Sequence, residues 1–208
     1  MKDARIILTE EGVRTFWEER AAHDGVRATG HCNHTLAEQD ERYRKRKEFI
    51  FTNCPRNLRT LEYGCGIGRY AEDFKCYLGV DFTGSLLDIA KKEHPKARFI
   101  LLHNSYLDCE LYFEPELIFT ANVLQHNPDD VVLKIFKSFT DIISHDIIFG
   151  LYENIYVQSG HMRGRTGEEY VELIATYFKI QKFDVYTHDM DGSKIGEDHA
   201  FTLIKAKI

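Results

Sequence analysis

The sequence predicts an α/β fold in which a doubly wound, mostly parallel sheet carries helices on both faces. From residue 59 onward, short runs rich in β-branched and aromatic residues alternate with helical patterns, the order expected for right-handed crossover connections. The last two runs, 179–187 and 200–207, are separated by a turn-forming segment, Asp189 to Ser193, instead of a helix. We therefore expect these two runs to pair antiparallel.

The N-terminal quarter of the chain differs from the remainder. A helix predicted over 10–22 presents its apolar residues on one face: Val13, Phe16, Trp17 and Ala21. A polar, histidine-rich connector follows over 23–34, and then a second helix over 36–51 that is rich in arginine and lysine. We therefore expect residues 1–54 to form a helical cap, or lid, on a core formed by residues 55–208, within a single domain overall.

The elements of the core follow from the same alternation. Strands are predicted over 59–63, 77–80, 97–102, 117–121 and 146–151, ahead of the final pair. Helices are predicted over 69–74, 84–92, 128–143 and 168–177, whereas the connection over 107–114 is less clearly helical. Thr166 and Glu169 have the spacing of a capping box at the start of the last helix.

Composition and charge exclude several classes of protein. The 208 residues are 43% hydrophobic and carry a formal charge of −6, which suits a globular protein and disfavours nucleic acid as the main partner. The five cysteines are scattered and never in Cys-x-x-Cys spacing, so we expect no disulfide framework, no metal site and a reducing cytoplasm. Because the N-terminus lacks a signal-peptide core and no 18-residue apolar run occurs, we expect neither export nor membrane insertion.

The most informative segment is LEYGCGIGRY, from Leu61 to Tyr70, where a predicted strand enters a glycine-rich turn. Glycines allow the chain to turn sharply and a ligand to approach the backbone, and a following helix would offer free N–H groups. A dinucleotide-binding loop has the pattern Gly-x-Gly-x-x-Gly, but here Arg69 stands where the third glycine would be. The spacing therefore disfavours a nicotinamide oxidoreductase, and a tight turn without a ligand is the alternative.

An acidic residue, Asp81, ends the next predicted strand, 17 positions after Gly64. At that position in a doubly wound sheet a carboxylate can accept hydrogen bonds from both hydroxyls of a ribose. Asp81 alone is also typical of a helix cap, a role that Thr83 or Ser85 could equally fill. Together with the glycine loop, it favours a ribose site.

These two segments resemble the class I S-adenosylmethionine-dependent methyltransferases, whose first motif is similar to Glu62-x-Gly64-x-Gly66-x-Gly68. The resemblance extends from about residue 58 to 208. It implies a Rossmann-like sheet of seven strands with an antiparallel last strand, S-adenosylmethionine as cofactor and S-adenosylhomocysteine as product. It further implies that Glu62 organises the loop and that Asp81 binds the ribose. Gly64 and Gly66 are implied to lie close to the methionine moiety of the donor. The other donor contacts that it implies are Cys65, Gly68, Phe82, Asn104, Ser105, Asn122 and Gln125.

Two of these assignments follow from matched segments. Asn104 stands where similar proteins often carry an acid, and its carbonyl can still accept a hydrogen bond from the adenine amine. The segment 116–128 resembles the Val-Leu-x-His segment of small-molecule methyltransferases, which implies that residues 122–126 lie beside the sulfonium and the acceptor. For Gln125 and His126, ordinary loop polarity is the equal alternative.

The acceptor side is predicted from histidines and arginines expected near the carboxyl edge of the sheet. His126 and His161 lie in loops at that edge, and His31 lies in the connector that could fold over it. All three are candidate bases, because an imidazole accepts a proton near neutral pH. Trp17, His34, Arg163 and Arg165 are the candidate acceptor-binding residues; packing for Trp17 and a solvated loop for the arginines are the alternatives.

The predicted reaction is O-methylation of a small metabolite or sugar-like acceptor by a monomer or homodimer. DNA base methylation is disfavoured, since the chain lacks both Asn-Pro-Pro-Tyr and a Pro-Cys pair after the fourth strand. Two alternatives stay open: an RNA or protein methyltransferase that uses the basic run over 42–47, and a non-catalytic module that binds the donor.

Overall fold

The computed structural model describes residues 9–29, 35–142, 148–155, 162–189 and 195–205. The helices within these ranges are α1 (Glu10–Asp24), α2 (Leu36–Asn53), α3 (Gly84–Glu93), α4 (Asp129–Ile142) and α5 (Gly167–Ala175). The strands are β1 (Arg59–Tyr63), β2 (Cys76–Asp81), β3 (Arg98–Leu101), β4 (Leu117–Ala121), β5 (Ile148–Ile155), β6 (Phe178–Asp189) and β7 (Ile195–Lys205).

The strands form one sheet in the order β3-β2-β1-β4-β5-β7-β6. Strands β1 to β5 are parallel to their neighbours within that group, whereas β7 runs antiparallel to both β5 and β6. The predicted α/β class and mostly parallel sheet are confirmed, as is the antiparallel pairing of the last two strands. The strand order reverses between β1 and β4, and in open α/β sheets this switch point is where ligands bind, beyond the carboxyl ends of the strands.

Strand β4 shows why helices are needed on both faces of the sheet. Successive side chains of a strand point to opposite faces. Leu117 and Phe119 accordingly pack into a core with Ile50 of α2, whereas Ile118 between them packs into a second core with Phe136 of α4. These five side chains are fully buried, so β4 is covered on both sides.

The N-terminal helices attach to the core in different ways. Helix α2 begins at a capping box formed by Thr35 and Glu38 and buries Ile50 against the sheet. Helix α1 contacts α3, and its Ala21 packs with Ile67 and Leu86 in a small apolar cluster. Helix α1 therefore lies beside the loops that follow β1 and β2. At α5 the predicted capping box of Thr166 and Glu169 is present.

The helix predicted over 69–74 is wrong. The segment consists of consecutive turns whose backbone bonds join residues three apart, for example from Ala71 N to Gly68 O and from Asp73 N to Tyr70 O. Gly68 has φ +74°, a left-handed conformation that starts a turn and interrupts a helix. The few residues left before β2 cannot build an i→i+4 ladder, because nucleating a helix requires several consecutive residues. The connection over 107–114 contains no helix.

Several predictions fall on segments outside the described residues: His31, His34, His161 and most of the turn at 189–193. In the part of the chain that the structure describes, no helix combines the length and apolar character needed to cross a membrane.

Candidate functional site

The glycine loop leaves β1 in left-handed conformations. Gly64, Gly66 and Gly68 have φ values of +69°, +53° and +74°. Gly64 is also a point of close approach, because a Cβ there would lie 2.6 Å from both methyl carbons of Val123. The loop after β1 is thus packed directly on the loop after β4, on both sides of the switch point.

Asp81 joins the loop after β1 to the loop after β2. Its Oδ2 accepts a hydrogen bond from the Gly66 amide at 2.8 Å, and its Oδ1 accepts one from the Thr83 amide at 2.8 Å. The residue is 6% exposed, and this burial raises the pKa of the carboxyl, while the amide hydrogen bonds act in the opposite direction. Asp81 therefore lies at the position predicted for the residue that binds the ribose, and it also fixes the shape of the glycine loop.

Glu62 and Cys65 lie beneath the glycine loop, not on its surface. The hydroxyl of Tyr77 donates a hydrogen bond to the Glu62 carboxylate, and burial raises the pKa of Glu62 to about 8. Burial also raises the pKa of the Cys65 thiol well above its usual range. Both side chains pack against β2: the Sγ of Cys65 would lie 2.8 Å from a Cβ on Gly79. Their contribution to the site is the support of the loop from within.

The residues after β3 are held by α1. Glu10 accepts a hydrogen bond from the Ser105 amide at 2.6 Å, and Arg14 donates to the carbonyl of His103 at 2.5 Å. The Asn104 side chain donates to Asp108 at 2.7 Å, and Phe82 lies under the Arg14 guanidinium, 5.2 Å from it. The predicted adenine side of the site is therefore bordered by α1.

A carboxylate of α1 also covers the start of α3. Glu18 accepts hydrogen bonds from the amides of Gly84 and Ser85 at 2.8 and 3.3 Å, 66 and 67 residues away along the chain. The predicted local caps, Thr83 and Ser85, do not fill this role, since the Thr83 side chain makes no cap hydrogen bond. Sequence reasoning missed Glu18 because no local pattern signals a cap that comes from another helix.

The loop after β4 brings together residues predicted for the acceptor. Gln125 and His126 are 4% and 8% exposed, and Asn122 has a left-handed φ of +56°. The ring of His126 meets the ring of Trp17 edge to face, with centroids 5.0 Å apart. The structure thus places Trp17, Gln125 and His126 in one cluster at the switch point.

Arg69, the residue that breaks the dinucleotide-binding pattern, binds residues 26 and 29, which follow α1. Its guanidinium donates to the carbonyl of Val26 at 2.9 Å and to the hydroxyl of Thr29 at 3.0 Å, and it lies over the ring of Tyr43, 4.2 Å from the centroid. Tyr43 in turn donates to the carbonyl of Thr29 at 2.9 Å. Thr29 lies close to the glycine loop, since its methyl carbon is 2.9 Å from the position of a Cβ on Gly66.

The two arginines predicted to bind the acceptor differ in their surroundings. The Arg165 side chain is buried, and its guanidinium donates to the carbonyls of Leu124 and Asn127 and to the carboxylate of Asp129. The Arg163 side chain is 34% exposed and makes longer contacts, of 3.4 Å to Asp129 and 3.3 Å to Glu169. Arg165 is thus engaged by the protein itself, and Arg163 is the more accessible guanidinium.

Several side-chain oxygens at this edge of the sheet are buried without a hydrogen-bond partner among the described residues. Among them are Ser85 Oγ, Ser105 Oγ and Gln125 Oε1. Buried polar atoms are nearly always hydrogen-bonded in folded proteins. A polar ligand between the ends of β1, β2 and β4 would supply such partners, so these residues fit a ligand that carries hydroxyl, amino and carboxylate groups.

Comparisons with known proteins bear on the fold. No protein-family profile and no curated protein sequence matches the chain. Among solved structures, it is similar to magnesium protoporphyrin IX methyltransferase from Synechocystis PCC 6803 with bound S-adenosylhomocysteine, at 12% identity over 95% of this chain and 99% of that chain, with a TM-score of 0.66. It is also similar to an S-adenosylmethionine-dependent methyltransferase from Leishmania major, at 15% identity over 93% and 82% of the two chains, with a TM-score of 0.68.

A third similar structure has a different reaction in its name. The [4+2]-cyclase SpnF matches at 14% identity over 95% of this chain and 96% of that chain, with a TM-score of 0.65. At these identities the comparisons establish the architecture, and the activity has to be argued from the site. The chain has the Rossmann-like fold of the S-adenosylmethionine-dependent methyltransferases.

Proposed function

We propose that the protein is an S-adenosylmethionine-dependent methyltransferase that acts on an oxygen of a small metabolite. The observation that carries this proposal is Asp81, which accepts the Gly66 amide at the switch point of the sheet. The Glu-x-Gly-x-Gly-x-Gly spacing and the solved structures of the same fold that hold S-adenosylmethionine or its product support the same conclusion.

The residues around Asp81 fit the adenosyl donor. A carboxylate has about four lone-pair positions, and each Asp81 oxygen accepts one amide, from Gly66 or from Thr83. The Thr83 hydroxyl and the Phe82 amide also act on this carboxylate, so ribose hydroxyls would take the remaining positions in competition with them. Ser85, Ser105 and Gln125 each have a buried oxygen without a partner among the described residues, beside the expected path of the ligand. We infer that α1 and residues 25–29 form a lid over the donor, because Glu18 binds the start of α3 after β2 and Thr29 lies against the glycine loop after β1.

When bound, S-adenosylmethionine supplies an electrophilic methyl carbon: a C–O bond forms to the acceptor, the C–S bond breaks, and its electron pair remains on sulfur. The chain aligns the acceptor and excludes water, and such positioning lowers a barrier by roughly 7–11 kcal/mol. Trp17 and His126 pack edge to face at the loop after β4, and we propose both as contacts of the acceptor.

His126 has the chemistry and position of a general base for the acceptor hydroxyl. The Gln125 amide nitrogen lies 3.3 Å from His126 Nε2. An amide N–H only donates, so in this arrangement the lone pair of Nε2 accepts the Gln125 N–H and is not open to the acceptor. For His126 to act as the base, the Gln125 amide has to release Nε2, and the acceptor proton then passes to that nitrogen as the C–O bond forms. His31 and His161, which lie outside the described residues, remain further candidates from the sequence.

The alternative of an RNA methyltransferase has less support. Part of the basic run on α2 lies in ion pairs on the protein's own surface, with Arg44 bound to Glu41 and Glu48 and Lys47 bound to Asp73. Paired cations attract phosphates less than free ones do. The second alternative, a module that binds the donor without transferring its methyl group, has the same donor loops and differs only on the acceptor side.

Calorimetric titration of the ligand-stripped protein with S-adenosylmethionine and S-adenosylhomocysteine tests the donor assignment, with NADH as the control. We expect micromolar binding of both adenosyl ligands and no binding of NADH. If neither adenosyl ligand binds, the proposed function is wrong. If both bind, incubation with S-adenosylmethionine and pools of hydroxylated metabolites, followed by mass spectrometry of methylated products, distinguishes the enzyme from the binding module.

A further inference from the structure

The loop between β4 and α4 carries Gln125 and His126, yet it has little regular structure. It begins at Asn122 in a left-handed conformation, forms a single 3₁₀ turn over Leu124–His126 and reaches α4 through Asn127. Backbone bonds join Asn122 to Tyr152 of β5 and join His126 and Asn127 to the carbonyls of Val123 and Leu124. The amides of residues 123–125 take no part in these bonds, so their partners must come from other groups.

One buried carboxylate binds the N–H groups of this loop. Glu153, in the middle of β5, is fully buried. Its Oε1 accepts the amides of Val123 and Leu124 at 3.1 and 3.0 Å, and its Oε2 accepts the amide of Gln125 at 3.1 Å. Three successive amides thus converge on a single carboxylate, an arrangement that strongly restricts the backbone.

One buried guanidinium binds the carbonyl groups of the same loop. Arg165 donates to the carbonyl of Leu124 at 2.9 Å and to that of Asn127 at 2.6 Å, and it forms two further bonds to Asp129 at the start of α4. These four bonds use four of the five N–H groups of a guanidinium. Since Arg165 is also only 1% exposed, it has one N–H group left and almost no surface with which to contact an acceptor.

The two charged side chains therefore hold the loop from both sides. Leu124 has its N–H bound to Glu153 and its carbonyl bound to Arg165. Gln125 has its N–H bound to Glu153 and its carbonyl bound to the backbone amide of Arg163 at 2.7 Å. Both peptide groups before His126 are thus fixed in orientation, which fixes the direction in which the Gln125 and His126 side chains leave the backbone.

Stability alone does not explain these two buried charges. Burying a charged side chain costs free energy that its hydrogen bonds have to offset, and an apolar side chain of similar volume carries no such cost. Burial raises the pKa of Glu153 to about 7, although the three amides and Arg165 favour its charged form. Glu153 and Arg165 give the backbone groups of the loop a defined orientation. Apolar residues could not do so, because only hydrogen bonds have the required directionality.

We propose that Glu153 and Arg165 are positioning residues, which hold the loop over 122–127 so that Gln125 and His126 face the acceptor. The reference to an acceptor rests on the proposed function, whereas the effect on the loop does not. In this role Arg165 acts through the backbone of the loop, and it does not touch the acceptor.

The test measures backbone amide exchange in the full-length protein with two conservative variants, Glu153→Gln and Arg165→Lys. Glutamine keeps the volume and one acceptor oxygen, and lysine keeps the charge but loses the planar fork. We expect the amides of residues 123–125 to exchange roughly tenfold faster or more, the factor that follows from losing a hydrogen bond to a charged partner. Lys137→Met is the matched control, because it removes an exposed ion pair with Asp141 on α4, far from the loop.

A second measurement uses Trp17, the only tryptophan of the chain. Its ring meets the His126 ring edge to face with centroids 5.0 Å apart, so its emission at one fixed pH depends on where the His126 ring lies. His126→Ala removes this neighbour and should shift the Trp17 emission. Glu153→Gln and Arg165→Lys should shift it in the same direction, and Lys137→Met should leave it unchanged.

Two results would overturn the proposal. The first is wild-type exchange at residues 123–125 together with wild-type Trp17 emission in both variants. The second is exchange that accelerates equally in the loop and in the amides of β1 and β4, which would make the pair a general source of stability. Failure of wild-type protein to bind S-adenosylhomocysteine would refute the proposed function only, since neither measurement requires a ligand.

Discussion

The carboxylate of Asp81 accepts the backbone amide of Gly66 at 2.8 Å, and through this bond the end of β2 determines the shape of the loop that follows β1. The same carboxylate is the expected partner of the ribose. Donor binding and loop geometry therefore depend on one side chain, so a change at Asp81 affects both.

Replacing Asp81 with asparagine should weaken binding of S-adenosylhomocysteine at least tenfold, equivalent to about 1.4 kcal/mol. An amide presents an N–H group to either Gly66 or Thr83, where the carboxylate accepts from both. Calorimetry measures the affinity. Asp88→Asn, an exposed position on α3, is the control and should bind normally. Unchanged affinity in Asp81→Asn would exclude the ribose assignment.

Replacing His126 with alanine should lower turnover roughly 10²–10⁴-fold, the usual effect of losing a general base. Donor affinity should stay the same, because His126 lies on the acceptor side. Turnover is measured as S-adenosylhomocysteine release with an acceptor found by the metabolite screen, and donor affinity by calorimetry. His23→Ala, on the exposed face of α1, serves as control. Loss of donor binding in His126→Ala would show that the loop after β4 serves the donor instead.

Gly64→Ala should destabilise the protein by about 2 kcal/mol or more, since it combines a left-handed φ with a contact of 2.6 Å to Val123. Urea unfolding measures the loss. A Val123→Ala background removes both methyl contacts of 2.6 Å and leaves the Cβ of residue 123 at 3.2 Å, so the same substitution should be less harmful there. Equal losses in both backgrounds would mean that Val123 does not press on Gly64.

The free energy of unfolding should fall as pH rises from about 4.5 to about 8, partly through Glu62. Burial raises the pKa of this carboxyl in the folded state from 4.5 to about 8, so the folded protein binds the proton more tightly than the unfolded chain does. The stabilisation is complete below the unfolded pKa and is lost as pH rises through the folded one. Between the unfolded and the folded pKa of Glu62, each unit of pH changes the free energy of unfolding by about 1.4 kcal/mol.

Glu62→Gln tests this prediction, because glutamine can still accept the Tyr77 hydroxyl but does not titrate. Chemical denaturation at a series of pH values should give a flatter profile for Glu62→Gln than for wild type. Glu93→Gln, at an exposed position, should leave the profile unchanged. Parallel profiles for wild type and Glu62→Gln would contradict a raised pKa at Glu62.

Arg69→Gly would create the Gly-x-Gly-x-x-Gly spacing of a dinucleotide-binding loop. We expect no binding of NADH, because Arg69 fastens the N-terminal segment and does not merely exclude a cofactor. Loss of its bonds to Val26 and Thr29 and of its contact with Tyr43 should cost about 1–3 kcal/mol. Faster proteolytic cleavage within residues 21–35 is the readout. NADH binding by this variant would show that spacing alone selects the cofactor.

The sequence alone predicted the features that rest on local patterns. Strand β1 and the glycine loop were predicted because β-rich runs and glycine spacing are properties of neighbouring residues, and Asp81 follows from its place at the end of the next run. The capping box of Thr166 and Glu169 was equally local. By contrast, the predicted helix over 69–74 failed, because the left-handed Gly68 and the short distance to β2 outweighed its helical pattern.

Only the tertiary structure decided which distant groups meet. Glu18 caps α3 across 66 residues, and Glu153 binds amides 28 to 30 residues before it. Arg165 was predicted to bind an acceptor from its residue type, yet in the fold its donors are directed at the carbonyls of Leu124 and Asn127. A charged side chain has no preferred partner in a sequence. Burial removes water as the competing partner, and only the packing of helices and strands determines which backbone groups take its place.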